Sequence, residues 1–160
     1  MSSPLLLTTL ENELAHIQTF IETLEQEQQA LIDNTLAELE TLSKQKTAHA
    51  ATLEQLARER KRLFDVNGVE LSPHPPHQLV SARHLPAEQL PALQQAWDRL
   101  IQAARQASAL NNTNGQLIQT RQQQNQQLMS LLQNSQNANL SYDALGQPRL
   151  SRSSGSLGKA

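Results

Sequence analysis

Residues 24–42 read LEQEQQALIDNTLAELETL, and the fold depends on what the chain does at Asp33-Asn34-Thr35. Upstream, Leu7, Leu10, Leu14, Ile17, Ile21, Leu24 and Leu31 alternate at spacings of three and four, with Gln28 in the one gap. That is a heptad seam. Ser3-Pro4 opens it with a cap residue followed by proline at the first helical position. Downstream, Leu39, Leu42, Leu53, Leu56 and Leu63 continue the pattern four residues out of phase. A continuous helix can absorb such a stutter by local unwinding. Thr35 and Glu38, however, spell a capping box at the slip. A cap there favours a tight turn between two antiparallel helices.

Working outward, residues 65–86, DVNGVELSPHPPHQLVSARHLP, cannot be helical throughout. Asn67-Gly68 is a turn signal, and Pro73, Pro75 and Pro76 remove helical donors. A long loop is expected, with a short extended piece around Leu79-Val80. A third seam then runs through Leu90, Leu93, Trp97, Leu100, Ala104 and Ala107. It continues through Asn111, Asn114, Ile118, Arg121, Asn125, Leu128 and Leu132. Past Gln133 the sequence is rich in Ser, Asn and Gly without periodicity, as a flexible tail would be.

The expected architecture is all-α: an elongated antiparallel three-helix bundle or coiled coil. A long Pro/His-rich loop precedes the third helix, and a flexible C-terminal tail follows it. Helices are placed at about 4–33, 35–65 and 88–134, with the linker at 66–87, a bundle over 1–134 and a disordered tail over 135–160. At 1.5 Å per residue the third helix exceeds the other two by roughly 20 Å, about fourteen residues.

Composition supports this class. Hydrophobic residues are 38% of the 160, but aromatics only 2%, namely Phe20, Phe64, Trp97 and Tyr142. A deep catalytic pocket normally draws on more rings. The net charge of −2 lacks the basic excess of a nucleic-acid binder. Charge is nonetheless uneven: residues 1–43 hold eight Asp/Glu and no Lys/Arg, whereas 107–160 hold four Lys/Arg and only Asp143. The lack of cysteine excludes a disulfide frame, a thiolate metal site and a cysteine nucleophile. No apolar run approaches the roughly 20 residues of a membrane span. The first residues lack a basic signal-peptide region, so a soluble cytoplasmic protein is expected.

The third seam poses the functional question. Residues 111–132, NNTNGQLIQTRQQQNQQLMSLL, keep helical spacing but put Asn and Arg where the other helices put Leu. Buried Asn at a seam costs stability and is tolerated where it fixes register, which is one reading of Asn111, Asn114 and Asn125. A desolvated Arg121 needs an acid, and none lies within a turn of it. The plain alternative is a solvated helix end. Against that stand Leu110, Leu117, Ile118, Leu128, Met129, Leu131 and Leu132, an apolar stripe rimmed by amides, suited to an amphipathic helix from another chain. Weak self-association through the same stripe is the main competing use.

Other constellations carry less. Glu13 and His16 fit the Glu-x-x-His of di-iron bundles, but the motif occurs once and off the seam, so a solvated face is expected. His74, His77 and His84 could hold zinc in principle, yet a Pro-punctuated loop without a carboxylate or sulfur nearby reads as a loop. Lys46, His49 and Arg60 lie on the second seam, where they either pair with acids of the first helix such as Glu25 or Glu22 or mark a wet stretch of the bundle. The basic run Arg58, Arg60, Lys61 and Arg62 sits where a helix C-terminus favours cations. No phosphate loop, nucleophile elbow or carboxylate pair appears, so no catalytic residue, cofactor or metal ligand is assigned.

Three stretches together resemble a known family: Leu110-Asn-Asn-Thr-Asn114-Gly115-Gln-Leu117-Ile118, then Asn125-Gln-Gln-Leu128 with Leu131-Leu132, then Tyr142-Asp143-Ala144-Leu145-Gly146. Behind two Leu-seamed helices, this resembles the flagellar export chaperones of the FlgN family. The resemblance implies a cytoplasmic chaperone that binds the C-terminal amphipathic segments of the hook–filament junction proteins FlgK and FlgL. It further implies prevention of premature assembly and delivery to the export gate. The client-binding residues it implies are Asn114, Leu117, Ile118, Arg121, Asn125, Leu128, Met129 and Leu132. Tyr142 is implied as the anchor on the export-gate protein FlhA, the alternative being a lone exposed tyrosine. Gly115 either lets the helix bend onto a client or is a tolerated surface glycine. The runner-up function is a homo-oligomeric coiled-coil structural or adaptor protein with no client.

Overall fold

The computed structural model describes the backbone of residues 2–141 and the side chains of residues 5–135. Tyr142 and the expected tail beyond it lie outside the described residues. The chain is all-α apart from one small hairpin. Helix α1 spans Ser2–Asp33, α2 Leu36–Val66 and α3 Leu90–Ser141, with strands β1 (Val69–Leu71) and β2 (Leu79–Ala82) between α2 and α3. Helix α3 is described through Ser141, across residues 135–141 whose composition had placed them in the tail.

The chain turns at the phase slip rather than continuing through it. Asn34 takes a left-handed conformation, φ 59°, and the Thr35 N–H donates to the Ala30 carbonyl at 3.1 Å. This closes α1 with a Schellman-type bond, and asparagine is the side chain after glycine that tolerates that conformation. Thr35 is extended at the N-cap of α2 (φ −93°, ψ 92°), yet its hydroxyl makes no cap to the helix. The hydroxyl faces the Ala30 carbonyl and the Glu38 carboxylate, each at 3.4 Å. The expected capping box is therefore not formed, because the side chain donates backward instead of accepting from the first turn. The turn follows from Asn34, not from the box.

Two ion pairs give the register. Arg60 Nε donates to Glu13 Oε1 at 2.8 Å, and Lys46 Nζ to Glu27 Oε1 at 3.2 Å. Moving fourteen residues up α1, from 13 to 27, moves the partner fourteen residues down α2, from 60 to 46. The hairpin is antiparallel and in step by two heptads. Helix α3 runs back alongside α1. Trp97 lies edge-on to Phe64 with centroids 5.2 Å apart, and Asn114 reaches Leu24 and Glu27. The core joins Leu6, Leu10, Leu14, Ile17, Ile21 and Leu24 of α1 to Leu63 and Phe64 of α2, Leu79 of β2, and Leu93, Trp97, Leu100, Ala103 and Ala107 of α3. Two seam positions differ by one residue from the heptad expectation. Leu6 and Ala103 are buried, whereas Leu7 is half-buried and Ala104 exposed. A straight helix drifts against a 3.5-residue repeat, which shifts the contact line in this way.

The linker is more ordered than a loop. Asn67 is buried and donates its amide to the Leu63 carbonyl at 2.7 Å, ending α2. Gly68 has φ +63°, and a Cβ there would meet the His84 ring at 3.0 Å, so glycine is required twice over. Strands β1 and β2 pair antiparallel, Val69 opposite Ala82 and Glu70 opposite Ser81, with an irregularity between Glu70 and Leu71. The extended piece expected at Leu79-Val80 is β2; its partner β1 was not foreseen. Trp97 Nε1 donates to the His77 carbonyl at 2.9 Å and Gln94 to the Leu79 carbonyl at 3.2 Å, fastening the hairpin to the start of α3.

Candidate partner-binding surfaces

The described chain divides into two units, the second beginning at Gln116. In the first, the polar positions of the seams form two internal layers. Glu13 is 4% exposed and holds Arg60, whose guanidinium also lies over the rings of Trp97 (5.2 Å) and Phe64 (5.9 Å). Fourteen residues on, Glu27 is 5% exposed and accepts from Lys46 and from Asn114 Nδ2, the latter at 2.9 Å. Asn114 is fully buried and gives its second amide hydrogen to the Leu24 carbonyl at 2.8 Å; its own Oδ1 has no partner. One carboxylate thus ties all three helices at one level. Breaking a buried pair of this kind costs about 3–5 kcal/mol, because the remaining charge stays desolvated.

These layers correct three expectations. Glu13 is not on a solvated face. Lys46 and Arg60 do pair with α1 acids, but with Glu27 and Glu13; Glu22 and Glu25 are exposed. His49 instead tilts against Phe20 at 6.1 Å. The missed signal is readable in retrospect: acids at 13 and 27 on α1, cations at 46 and 60 on α2, each two heptads apart and in opposite order. Asn114, assigned to client binding, spends both its amide hydrogens inside the first unit and serves register. Asn111 is exposed.

Between α2 and α3 the first unit is not closed. The expected α2 seam residues Leu53 and Leu56 are only half-buried. A groove of about 400 Å³ opens there, floored by Glu13, Ile17 and Phe20 of α1. Ala50, Leu53, Glu54 and Ala57 form one wall, and Ala104, Ala107, Ser108 and Asn111 the other. Alanines on both walls leave it unfilled. The backbones of α1 and α2 approach closely, and α3 keeps further from both.

The described part of the second unit is the α3 stretch from Gln116 to Ser141. Here Leu128, Met129, Leu131 and Leu132 are each more than half exposed, from 51% to 66%. Asn125 is exposed, while Leu117, Ile118 and Arg121 are half-buried. At 100° per residue Ile118, Arg121, Asn125, Leu128, Met129 and Leu132 share one face. Contiguous apolar residues in water mark a surface awaiting cover. Gly115, just before this stretch, has open space around its Cβ position.

Among the described residues, no group of three or more His, Cys, Asp or Glu could hold a metal ion. The shifted ionisations belong to Glu59 and Arg62, a surface pair on α2 joined at 2.8 Å. A hydrogen bond from the guanidinium lowers the carboxyl pKa and raises that of the arginine. No described helix is long and apolar enough to cross a membrane.

The family model described as FlgN protein matches residues 1–149. The chain belongs to the FlgN family. FlgN-family proteins are flagellar export chaperones, not enzymes, and bind flagellar proteins in that role. The match covers the whole described structure, so the two layers, the groove and the exposed α3 face are features of a FlgN-family chain. Comparison with the curated proteins and with the solved structures returned no match.

Proposed function

We propose that this FlgN-family chaperone works in the cytoplasm on hook–filament junction subunits of the FlgK and FlgL type. It holds their C-terminal amphipathic helices on the exposed face of α3. The observation that carries this is the run of Leu128, Met129, Leu131 and Leu132, all more than half in solvent on one helix. Leu117, Ile118, Arg121, Asn125, Leu128, Met129 and Leu132 form the seat, with Asn114 withdrawn from it into the fold. Leu and Ile supply burial, Met adapts to unequal partners, and the amide and guanidinium set register. Covering the assembly helices of a junction subunit keeps it from polymerising before export. The loaded chaperone then docks on the export-gate protein FlhA, with Tyr142 as anchor, tyrosine being a favoured hot-spot residue.

Calorimetric titration with the C-terminal peptide of a junction subunit tests the reading. Saturable binding near one to one with a negative heat-capacity change is expected. It should be lost in Leu128→Glu/Leu132→Glu while helicity is kept. Absence of binding to either junction peptide refutes the client assignment. For docking, Tyr142→Ala should spare client binding and impair FlhA binding; loss of both would place Tyr142 in the client seat.

A further inference from the structure

Two Asn-Gly dipeptides occur in the chain, at 67–68 and 114–115. In such a dipeptide no side chain shields the glycine nitrogen, which can attack the asparagine carboxamide to form a five-membered imide. The fold withholds both asparagines from that reaction. Asn67, at the end of α2, is 1% exposed; its amide donates to the Leu63 carbonyl at 2.7 Å, and the Gly68 N–H donates to the Asp65 carbonyl at 3.2 Å. Asn114 is fully buried, and its amide hydrogens go to the Leu24 carbonyl at 2.8 Å and Glu27 Oε1 at 2.9 Å. Their positions differ in one respect. Asn67 follows directly on the buried Leu63 and Phe64, whereas Asn114 is the last buried residue of α3 among the described residues. Local opening costs least at the end of a packed stretch.

We propose that Asn114-Gly115 is a self-modification site, closed by the Glu27 layer and exposed when α3 lifts from α1 at that level. Once it is open, the Gly115 backbone nitrogen bonds to Asn114 Cγ and the Cγ–Nδ2 bond breaks. The carboxamide nitrogen leaves as ammonia, carrying the proton that Gly115 gives up. Water then adds across one of the two imide C–N bonds and leaves an aspartyl or an isoaspartyl linkage, with no oxidant or reductant involved. The product cannot retake the layer. One of its carboxylate oxygens inherits the place of Oδ1, which has no partner. The other faces the Leu24 carbonyl and the Glu27 carboxylate, two acceptors where the amide offered two donors. Lys46, the cation of the layer, already sits on Glu27 at 3.2 Å. A second carboxylate buried there is repelled rather than paired. A single opening that ends in reaction therefore keeps α3 off α1 at that level. The reaction draws on the layer alone and not on the client.

The test incubates the full chain at mildly alkaline pH, natively and in urea, and reads conversion at 67 and 114 by digestion and mass spectrometry. In urea the two sites should convert at similar rates, each being an unhindered Asn-Gly. In the native chain, conversion at 114 should be slower than in urea by about ten- to a thousandfold, the span of local opening, and faster than at 67. Gly115→Ala adds a methyl where nothing lies within 4 Å; in urea it should lose conversion at 114 and leave 67 as in wild type. Asn114→Asp stands in for one product and should exchange the amides of 107–114 at least about tenfold faster than wild type. Adding Glu27→Gln should restore part of that protection by setting a donor opposite the carboxylate. Wild-type chain aged natively until 114 is converted gives the same exchange reading if Asn114→Asp does not fold. A native rate at 114 equal to the urea rate overturns the proposal, because the layer then closes nothing. So does a native rate more than about a thousandfold below it, or one below that at 67, because α3 then does not open there. Wild-type protection in Asn114→Asp or in the converted chain overturns it as well, since the product then fits the layer.

Discussion

Replacing Glu27 by alanine should unfold the molecule far more readily than any other single loss of an acid on α1 except Glu13. The Glu27 side chain is 6% exposed and accepts from Lys46 at 3.2 Å and Asn114 at 2.9 Å. Removing one member of a fully buried pair costs about 3–5 kcal/mol. Lys46 is 25% exposed and recovers part of its hydration, which lowers that share to about 2–3 kcal/mol. Asn114 Nδ2 keeps its bond to Leu24 and loses the other, adding about 1 kcal/mol. The sum, about 3–4 kcal/mol, corresponds to a fall in midpoint temperature of roughly 10–15 °C for a unit of this size. Urea unfolding followed by circular dichroism measures it, with Glu25→Ala, an exposed neighbour, as the control expected within about 0.5 kcal/mol of wild type. Glu27→Gln should fall between, since it keeps both acceptor contacts and loses the charge. A double-mutant cycle with Lys46→Ala should show coupling of at least about 1 kcal/mol. If Glu27→Ala matches Glu25→Ala, the three-helix layer is not holding the unit together and the register argument fails.

Arg60→Ala should destabilise by about 2–3 kcal/mol, since Glu13 then lies buried without its partner. It should also change the emission of Trp97, the only tryptophan, because the guanidinium over its ring is gone; unchanged fluorescence would contradict that placement. Gly115→Ala should stabilise by up to about 1 kcal/mol in thermal unfolding, since helix propensity rises and nothing lies within 4 Å of the new methyl. If it stabilises yet weakens client binding, the glycine is a bend point; if binding is unchanged, it is a tolerated surface residue. Gly68→Ala should cost about 1–2 kcal/mol by urea unfolding, from its left-handed backbone and the close His84 ring. Neutrality there would mean that the hairpin geometry is wrong.

Much of the fold was legible because leucine spacing reports helix faces directly. The seam from Leu10 to Leu31 and the Asn67-Gly68 break each survive in the structure. What the spacing missed has a common cause: heptad reading assigns polarity to the outside, and this core contains charge. Glu13 and Glu27 flank the leucine seam, one turn from residues that are unambiguously buried, and look like surface until α2 brings arginine and lysine to them. The pairing is a tertiary fact, visible in sequence only as matched fourteen-residue spacings on two helices. Asn114 was misassigned for the mirror reason. A polar seam residue suits an open groove or a buried layer equally well, and only the presence of Glu27 and the Leu24 carbonyl decides between them. Strand β1 was hidden because three residues are too few for periodicity to register. The exposed stripe at 128–132 was legible because nothing in the described sequence was left to cover it.

The central claim is that the α3 stretch at 117–132 is the client's seat, and amide hydrogen exchange tests it most directly. In the free chain, amides of 117–132 should exchange faster than those of 93–111, which are packed against α1. Saturating junction-subunit peptide should slow exchange across 117–132 and leave 93–111 nearly unchanged. Protection appearing only elsewhere, or none at all in a sample that binds the peptide, would contradict the claim.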